Sequence, residues 1–325
     1  MTAIDHIMFM TNVDFAYSRS STYLSKDESS KVLIGGTLSE QLTQIKSILK
    51  KKNREKTTFV VMSPAHILVL LLKLAGAKKI ILDAGWPLSD STQKKFNINT
   101  IKTKLINLLI DLLAFKFSSK IILESPQQLE YVSKRFLVRK AKLKSIYTGI
   151  SLERFHVNAV RPSNLPDTIQ LKNFVLFRGK LNKEAGIEKI VTSFQQFQKI
   201  PYLVLATNKE LDFQVSERII VISTTLSDKE IAWLYKNSVA TVGQYGSVGR
   251  LKRTIPHKFF ESVWFGIPYI TPKHQPIVDI LGEDYPYWSD SFGDVILKTN
   301  FKYNEKTKSK INGEFLRSEF QKTLI

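Results

Sequence analysis

The chain has 325 residues, 43% of them hydrophobic and 24% charged, the composition of a globular protein long enough for two α/β domains. It carries a formal charge of +19 and no cysteine, which excludes disulfides, thiolate metal sites and a cysteine nucleophile. The five histidines lack ligand spacing, no run of 18 apolar residues occurs, and no basic stretch precedes the first apolar run, so neither a histidine metal site, a transmembrane helix nor a signal peptide is expected.

Ile7-Met8-Phe9-Met10 reads as a first strand, and residues 13–30 as a polar loop or loose helix. Lys31 to Gly36 is a second strand ending in two glycines. Leu38, Leu42, Ile45 and Leu49 share one face of a helix over 38–51. A β-branched strand at 57–62, a helix at 64–74 and a strand at 79–83 follow. Strand and helix alternating at this rhythm predict a parallel sheet covered on both faces, with ligands beyond the carboxyl ends of its strands. Asp83 and Trp86, at the end of the 79–83 strand, are candidate site residues; each is also an ordinary turn residue.

Positive charge concentrates early: residues 1–160 hold 25 Lys and Arg against 12 Asp and Glu. Such a surplus suits a membrane surface, a nucleic acid or a polyanionic substrate, or it serves solubility alone. Residues 101–117 form an apolar helix with Lys102, Lys104 and Lys116 at its ends. It is either an outer-layer helix of the sheet or one lying in the plane of an anionic membrane. The next helix begins at Pro126 and runs into the basic stretch 134–144, which lacks the aromatic platforms of a nucleic-acid site and suits a membrane better.

Ser145 to Phe155 reads as a strand and a tight glycine turn, and 158–173 as a linker. A second α/β half follows. Strand Phe174–Phe177 enters the basic loop Arg178-Gly179-Lys180-Leu181-Asn182-Lys183-Glu184-Ala185-Gly186, then a helix, a plausible phosphate cradle that is neither a P-loop nor G-x-G-x-x-G. Ser227 and Glu230 form a capping box, and the strand at 239–242 precedes a glycine-rich loop, Gly243–Gly249, containing Tyr245. Pro256 then opens a helix on which Lys258 and Glu261 are neighbours, ended by Gly266 and followed by the strand Ile267–Thr271. Lys258 and Glu261 read either as a surface ion pair or as the cation and carboxylate of a site for phosphates and hydroxyls.

Three stretches resemble the retaining, metal-independent GT-B glycosyltransferases of the family 4-like "glycosyltransferase group 1". Ser145-Ile146-Tyr147-Thr148-Gly149-Ile150-Ser151-Leu152-Glu153-Arg154-Phe155 is similar to that group's crossover into its second domain. Gly179 to Gly186 is similar to its G-R-L-x-x-x-K-G loop, and Pro256-x-Lys258-x-x-Glu261 through Gly266-x-Pro268 to its P-x-K-x-x-E-x-x-x-x-G-x-P element. The resemblance implies two Rossmann-like domains facing each other across a cleft: 1–158 for the acceptor, with Asp83 and Trp86 on the acceptor side, 159–305 for the nucleotide sugar, and a terminal helix at 306–325. It implies that Glu261 accepts hydrogen bonds from a ribose, that Lys258 and Arg253 meet the diphosphate, and that Arg178, Gly179, Lys180, Lys183 and Tyr245 complete the donor site. Alanine at 261 is then expected to cripple turnover and leave the fold intact. The pattern departs from the group at Arg253, where an acid is expected, at Ala185 in place of lysine, and at Thr148 in place of asparagine.

The activity so implied moves a sugar from a nucleotide donor to a lipid-linked or saccharide acceptor, in glycan or envelope polysaccharide synthesis. No cofactor or metal is expected, and the place of action is the cytoplasm, with peripheral attachment to the inner face of a membrane. Two other readings stand beside it. A nucleotide-sugar epimerase would want histidines gathered with carboxylates, and His66, His257 and His274 are scattered in the sequence. A non-catalytic basic protein would hold membrane or nucleic acid without binding a nucleotide.

Overall fold

Two parallel sheets organise the chain, one in each of two compact units, Met1–Gly149 with Gly313–Ile325 and Ile150–Asn312. The computed structural model describes residues 6–11, 19–23, 31–53, 55–90, 100–150, 155, 157–207, 209–247, 249–291, 295 and 301–325. Residues 151–154 of the crossover stretch, and most of 13–30, lie outside the described residues.

The first sheet contains β1 (His6–Met10), β2 (Lys31–Leu33), β3 (Thr58–Met62), β4 (Lys79–Gly85), β5 (Lys120–Leu123) and β6 (Leu143–Ser145), in the order β2-β1-β3-β4-β5-β6. The inner strands are apolar at consecutive positions because both faces are covered. The period of two sorts their side chains. Ile7, Phe9, Phe59 and Val61 face one core, shared with α1 (Leu38–Lys50), α2 (Ile67–Leu74), α3 (Thr100–Phe117) and α4 (Pro126–Phe136). Met8, Met10, Val60 and Met62 face the other, closed by Leu316, Phe320 and Leu324 of the final helix. Tyr23 stacks on Phe320 there, rings 4.5 Å apart and 3° from parallel.

The second sheet contains β7 (Phe174–Arg178), β8 (Tyr202–Ala206), β9 (Ile219–Ile222), β10 (Ala240–Val242) and β11 (Tyr269–Ile270), in the order β11-β10-β7-β8-β9. Its helices are α5 (Ile187–Gln196), α6 (Asp228–Asn237), α7 (His257–Trp264), α8 (Gln275–Leu281) and α9 (Glu305–Ile311). Ser227 and Glu230 close the expected capping box.

Local chemistry accounts for the differences from expectation. The second strand stops at Leu33, because Gly36 turns at φ 86° to let Thr37 cap α1. The basic stretch 134–144 is not one helix: α4 ends at Phe136, Leu137 adopts a left-handed conformation, a 3-10 turn spans Lys140–Lys142, and β6 follows. Residues 306–325 form two helices, α9 and α10 (Gly313–Leu324); α9 packs on α7 and α8, and α10 on the first sheet.

Candidate functional site

In the second unit the carboxyl end of β7 and the helix α7 bring together residues far apart in sequence. Glu261 is fully buried, and its two oxygens collect three donors. Arg178 Nη1 donates to both at 2.7 Å, and Tyr235 Oη donates to Oε2 at 2.6 Å. His257 Nδ1, one turn earlier on α7, lies 3.2 Å from Oε1. Tyr235 is aimed by its ring, which stacks on Phe265 with centroids 5.2 Å apart. Burial pushes the Glu261 carboxyl up; the Arg178 charge and the His257 and Tyr235 hydrogen bonds outweigh it and hold the group well below the usual carboxylate range.

Lys258 is in the opposite condition. It is 7% exposed, yet its Nζ has no hydrogen-bond partner among the described residues. The ammonium rests 3.5 Å from the centroid of the Phe177 ring. Gly179, at φ 153°, leaves the adjoining space open; a Cβ there would stand 3.4 Å from Nζ. Burial and the Arg178 charge push the Lys258 pKa well below its ordinary value, against the pull of Glu261 and Glu184. A buried cation without a partner is costly, and an arriving anion relieves the cost.

The loops around it are locked by glycines. Tyr245 N donates to Ala185 O at 3.0 Å and Gly246 N to Glu184 O at 3.1 Å. A Cβ at Gly246 would fall 2.0 Å from Lys183 O, and one at Gly186 would fall 2.5 Å from Gly246 N, so the two loops touch backbone to backbone. Glu184 is buried and pairs with Arg250 at 2.6 Å. Gly186 and Pro256 occupy the N-cap positions of α5 and α7 and supply no side-chain cap, so the N–H groups of both first turns lack a capping side chain.

Of the residues singled out from sequence, Arg178, Gly179, Lys258 and Glu261 meet here, with Tyr245 buried in the loop pair and Lys180 and Lys183 exposed on the neighbouring loop. Arg253 is partly exposed, and its Nη1 donates to Gly249 O at 3.4 Å. Four residues escaped sequence reasoning. His257 had a local signal, lying four residues before Glu261 on the same helix face. Tyr235, Glu184 and Arg250 had none, because their partners lie 26 to 66 residues away.

Asp83 and Trp86 belong to the first unit. Asp83 was expected to face an acceptor; instead it is fully buried and accepts from Arg19 Nε at 2.9 and 3.1 Å. The same guanidinium donates to Thr148 Oγ1 and Ile146 O, so Asp83 joins the helical turn at 19–23 to the end of β6. Trp86 keeps part of its surface exposed. The turn after it, Leu88–Asp90, is pinned by Asp111 of α3, which accepts from Leu88 N, Ser89 N and Ser89 Oγ.

No family model matches the chain, and no curated protein matches it in sequence. Solved structures match along almost its whole length. HepE from Anabaena, in complex with UDP and glucose, superposes with a TM-score of 0.69 at 10% identity, covering 99% of both chains. The chain has the GT-B fold. A UDP-forming α,α-trehalose-phosphate synthase from Burkholderia vietnamiensis gives 0.61 at 10% identity, covering 97% of this chain and 82% of its own. A glycosyltransferase from Rickettsia africae gives 0.56 at 11%, covering 100% and 93%.

Proposed function

We propose that this protein transfers a sugar from a nucleoside diphosphate donor to a lipid-linked or saccharide acceptor, with retention at the anomeric carbon. The observation that carries the reading is Lys258: a buried ammonium without a hydrogen-bond partner among the described residues, beside a glycine at φ 153° at the end of a central strand. As the donor's glycosidic bond breaks, the departing diphosphate gains charge, and a cation held ready for it lowers the barrier. Arg178, steadied by Glu261, is the second cation, and Lys180, Lys183 and Arg253 add positive charge on the surrounding surface. Side-chain cations and helix N–H groups thus take the leaving group's charge, and no metal enters the proposed step.

Glu261 serves this reading first as the anchor of Arg178 and His257. It takes a ribose hydroxyl only where His257 gives way, because its oxygens are already engaged. The fold likeness to a chain solved with UDP and glucose makes UDP and UDP-sugars the first ligands to try.

The test is a thermal-shift series with UDP, GDP and ADP and their sugars. A ligand present at a hundred times its Kd adds about 2.7 kcal/mol to apparent stability. Failure of every nucleoside diphosphate to raise the melting point would sink the reading and favour a non-catalytic basic protein. With a binding donor in hand, NMR of the product should show the donor's anomeric configuration kept.

A further inference from the structure

Helix α3 is apolar on two faces, and the first unit covers only one. Asp111, Ala114 and Phe115 are buried. Ile101, Leu105, Leu109 and Leu112 are 74%, 61%, 57% and 43% exposed. At 3.6 residues per turn these four fall within an arc of about 80° on the outer side. Lys102 and Lys104 flank that stripe, and Lys116 continues it.

At the C-terminal end of α3 the stripe runs into an open groove of about 750 Å³, walled by Leu112, Lys116, Leu137, Arg139 and Lys142 among others. Leu137 stands at its edge, 89% exposed and in the left-handed region at φ 52°. Glycine would take that conformation more cheaply, so the exposed leucine carries a backbone cost. Residues 100–144 hold ten Lys and Arg against three Asp and Glu. Of the acids, Asp111 and Glu124 are buried and Glu130 already pairs with Lys134 and Lys140, so the surface presents net positive charge.

We propose that α3 and the groove at its end dock this protein on an anionic lipid bilayer, the helix lying in the plane of the surface. Leucine and isoleucine enter the interface, and Lys102, Lys104, Lys116 and Arg139 meet lipid phosphates. Charge decides the occupant: a second copy, itself carrying +19, would set lysine against lysine. The surface lies wholly in the first unit, so its failure would leave the nucleotide-sugar reading untouched.

The experiment is flotation of the full chain with phosphatidylcholine vesicles, with and without phosphatidylglycerol. The chain should float with the anionic vesicles at low salt, and release as salt rises. The double variant Leu105→Ser/Leu109→Ser should lower the bound fraction roughly tenfold, with an unchanged melting point because both positions are exposed. Lys102→Glu/Lys116→Glu should weaken binding to anionic vesicles only. Absence of flotation overturns the proposal, as does a leucine variant that floats like the wild type. So does light scattering that shows a dimer dissolved by the leucine variant without any vesicle binding, which would make the stripe a contact between copies.

Discussion

Replacing Glu261 by glutamine keeps the shape of the side chain and removes its charge. Three donors now share two carboxylate oxygens: Arg178, Tyr235 and His257. Glutamine offers one oxygen, so at least one donor is left facing an N–H group, and Arg178 loses its counter-ion. Removing one partner of a buried ion pair costs about 3–5 kcal/mol. The Arg178 side chain keeps 26% of its surface, which places the cost near the lower end, about 3 kcal/mol. For a unit of this size each kcal/mol moves the melting point by roughly 2–4 °C, so a fall of about 6–12 °C is expected in calorimetry at neutral pH. Because the folded carboxyl titrates below its ordinary value of 4.5, this stabilisation is present above that pH and is lost as pH falls through the folded value. The acid-side loss should shrink in the glutamine variant. From sequence, alanine at 261 was expected to cripple turnover and leave the fold intact; burial and three donors predict a loss of stability as well. A glutamine variant melting within about 2 °C of the wild type would refute this reasoning, as would a double-mutant cycle with Arg178→Ala showing no coupling.

Four further expectations follow from the structure. Lys258→Met removes a buried charge that has no hydrogen-bond partner among the described residues, at similar volume, so the unliganded melting point should hold or rise, while nucleotide affinity falls roughly 10- to 100-fold; a falling melting point would show that the ammonium is structural. In the wild type, nucleotide binding should take up a proton between the depressed pKa of Lys258 and its ordinary 10.5, so affinity should drop as pH rises, as calorimetry in buffers of differing ionisation enthalpy would show. Gly246→Ala should cost roughly 2–3 kcal/mol, because its Cβ meets Lys183 O at 2.0 Å, whereas Gly249→Ala, with nothing within 4 Å, should be nearly neutral; equal melting points would contradict the locked loops. Burial raises Asp111 to about 6. A carboxyl raised in the folded state contributes stability below its ordinary value of 3.8 that is lost as pH rises through about 6, and the Asp111→Asn variant should lack that slope in urea denaturation.

Much of the fold was legible in the sequence because its signals are local. Apolar runs such as Thr58–Met62 and Phe174–Arg178 announce strands buried on both faces, and Ser227 with Glu230 marks a helix start within four residues. The placing of Lys258 and Glu261 on one helix was likewise readable from spacing. Their opposite conditions were not. Spacing does not tell that Glu261 would be engaged by Arg178, 83 residues earlier, and Tyr235, 26 earlier, while Lys258 would find no hydrogen-bond partner among the described residues. Asp83 shows the same limit: a carboxylate at a strand end reads as a site residue until Arg19, 64 residues away, closes on it.

By itself, then, the sequence determined the alternation of strands and helices, two parallel-sheet halves, and the basic loops at the strand ends, since each follows from side-chain period, capping and turn chemistry over a few residues. Only the tertiary structure decided which charges are neutralised and which are held open, and which face of α3 is covered. Burial and ion pairing depend on contacts between distant segments, and the free energy of a buried charge depends on what those segments bring to within a few ångströms of it. The same helix pattern would serve a core helix or one with an uncovered apolar face; the exposed Ile101, Leu105 and Leu109 show the second, and the proposed membrane contact rests on that face.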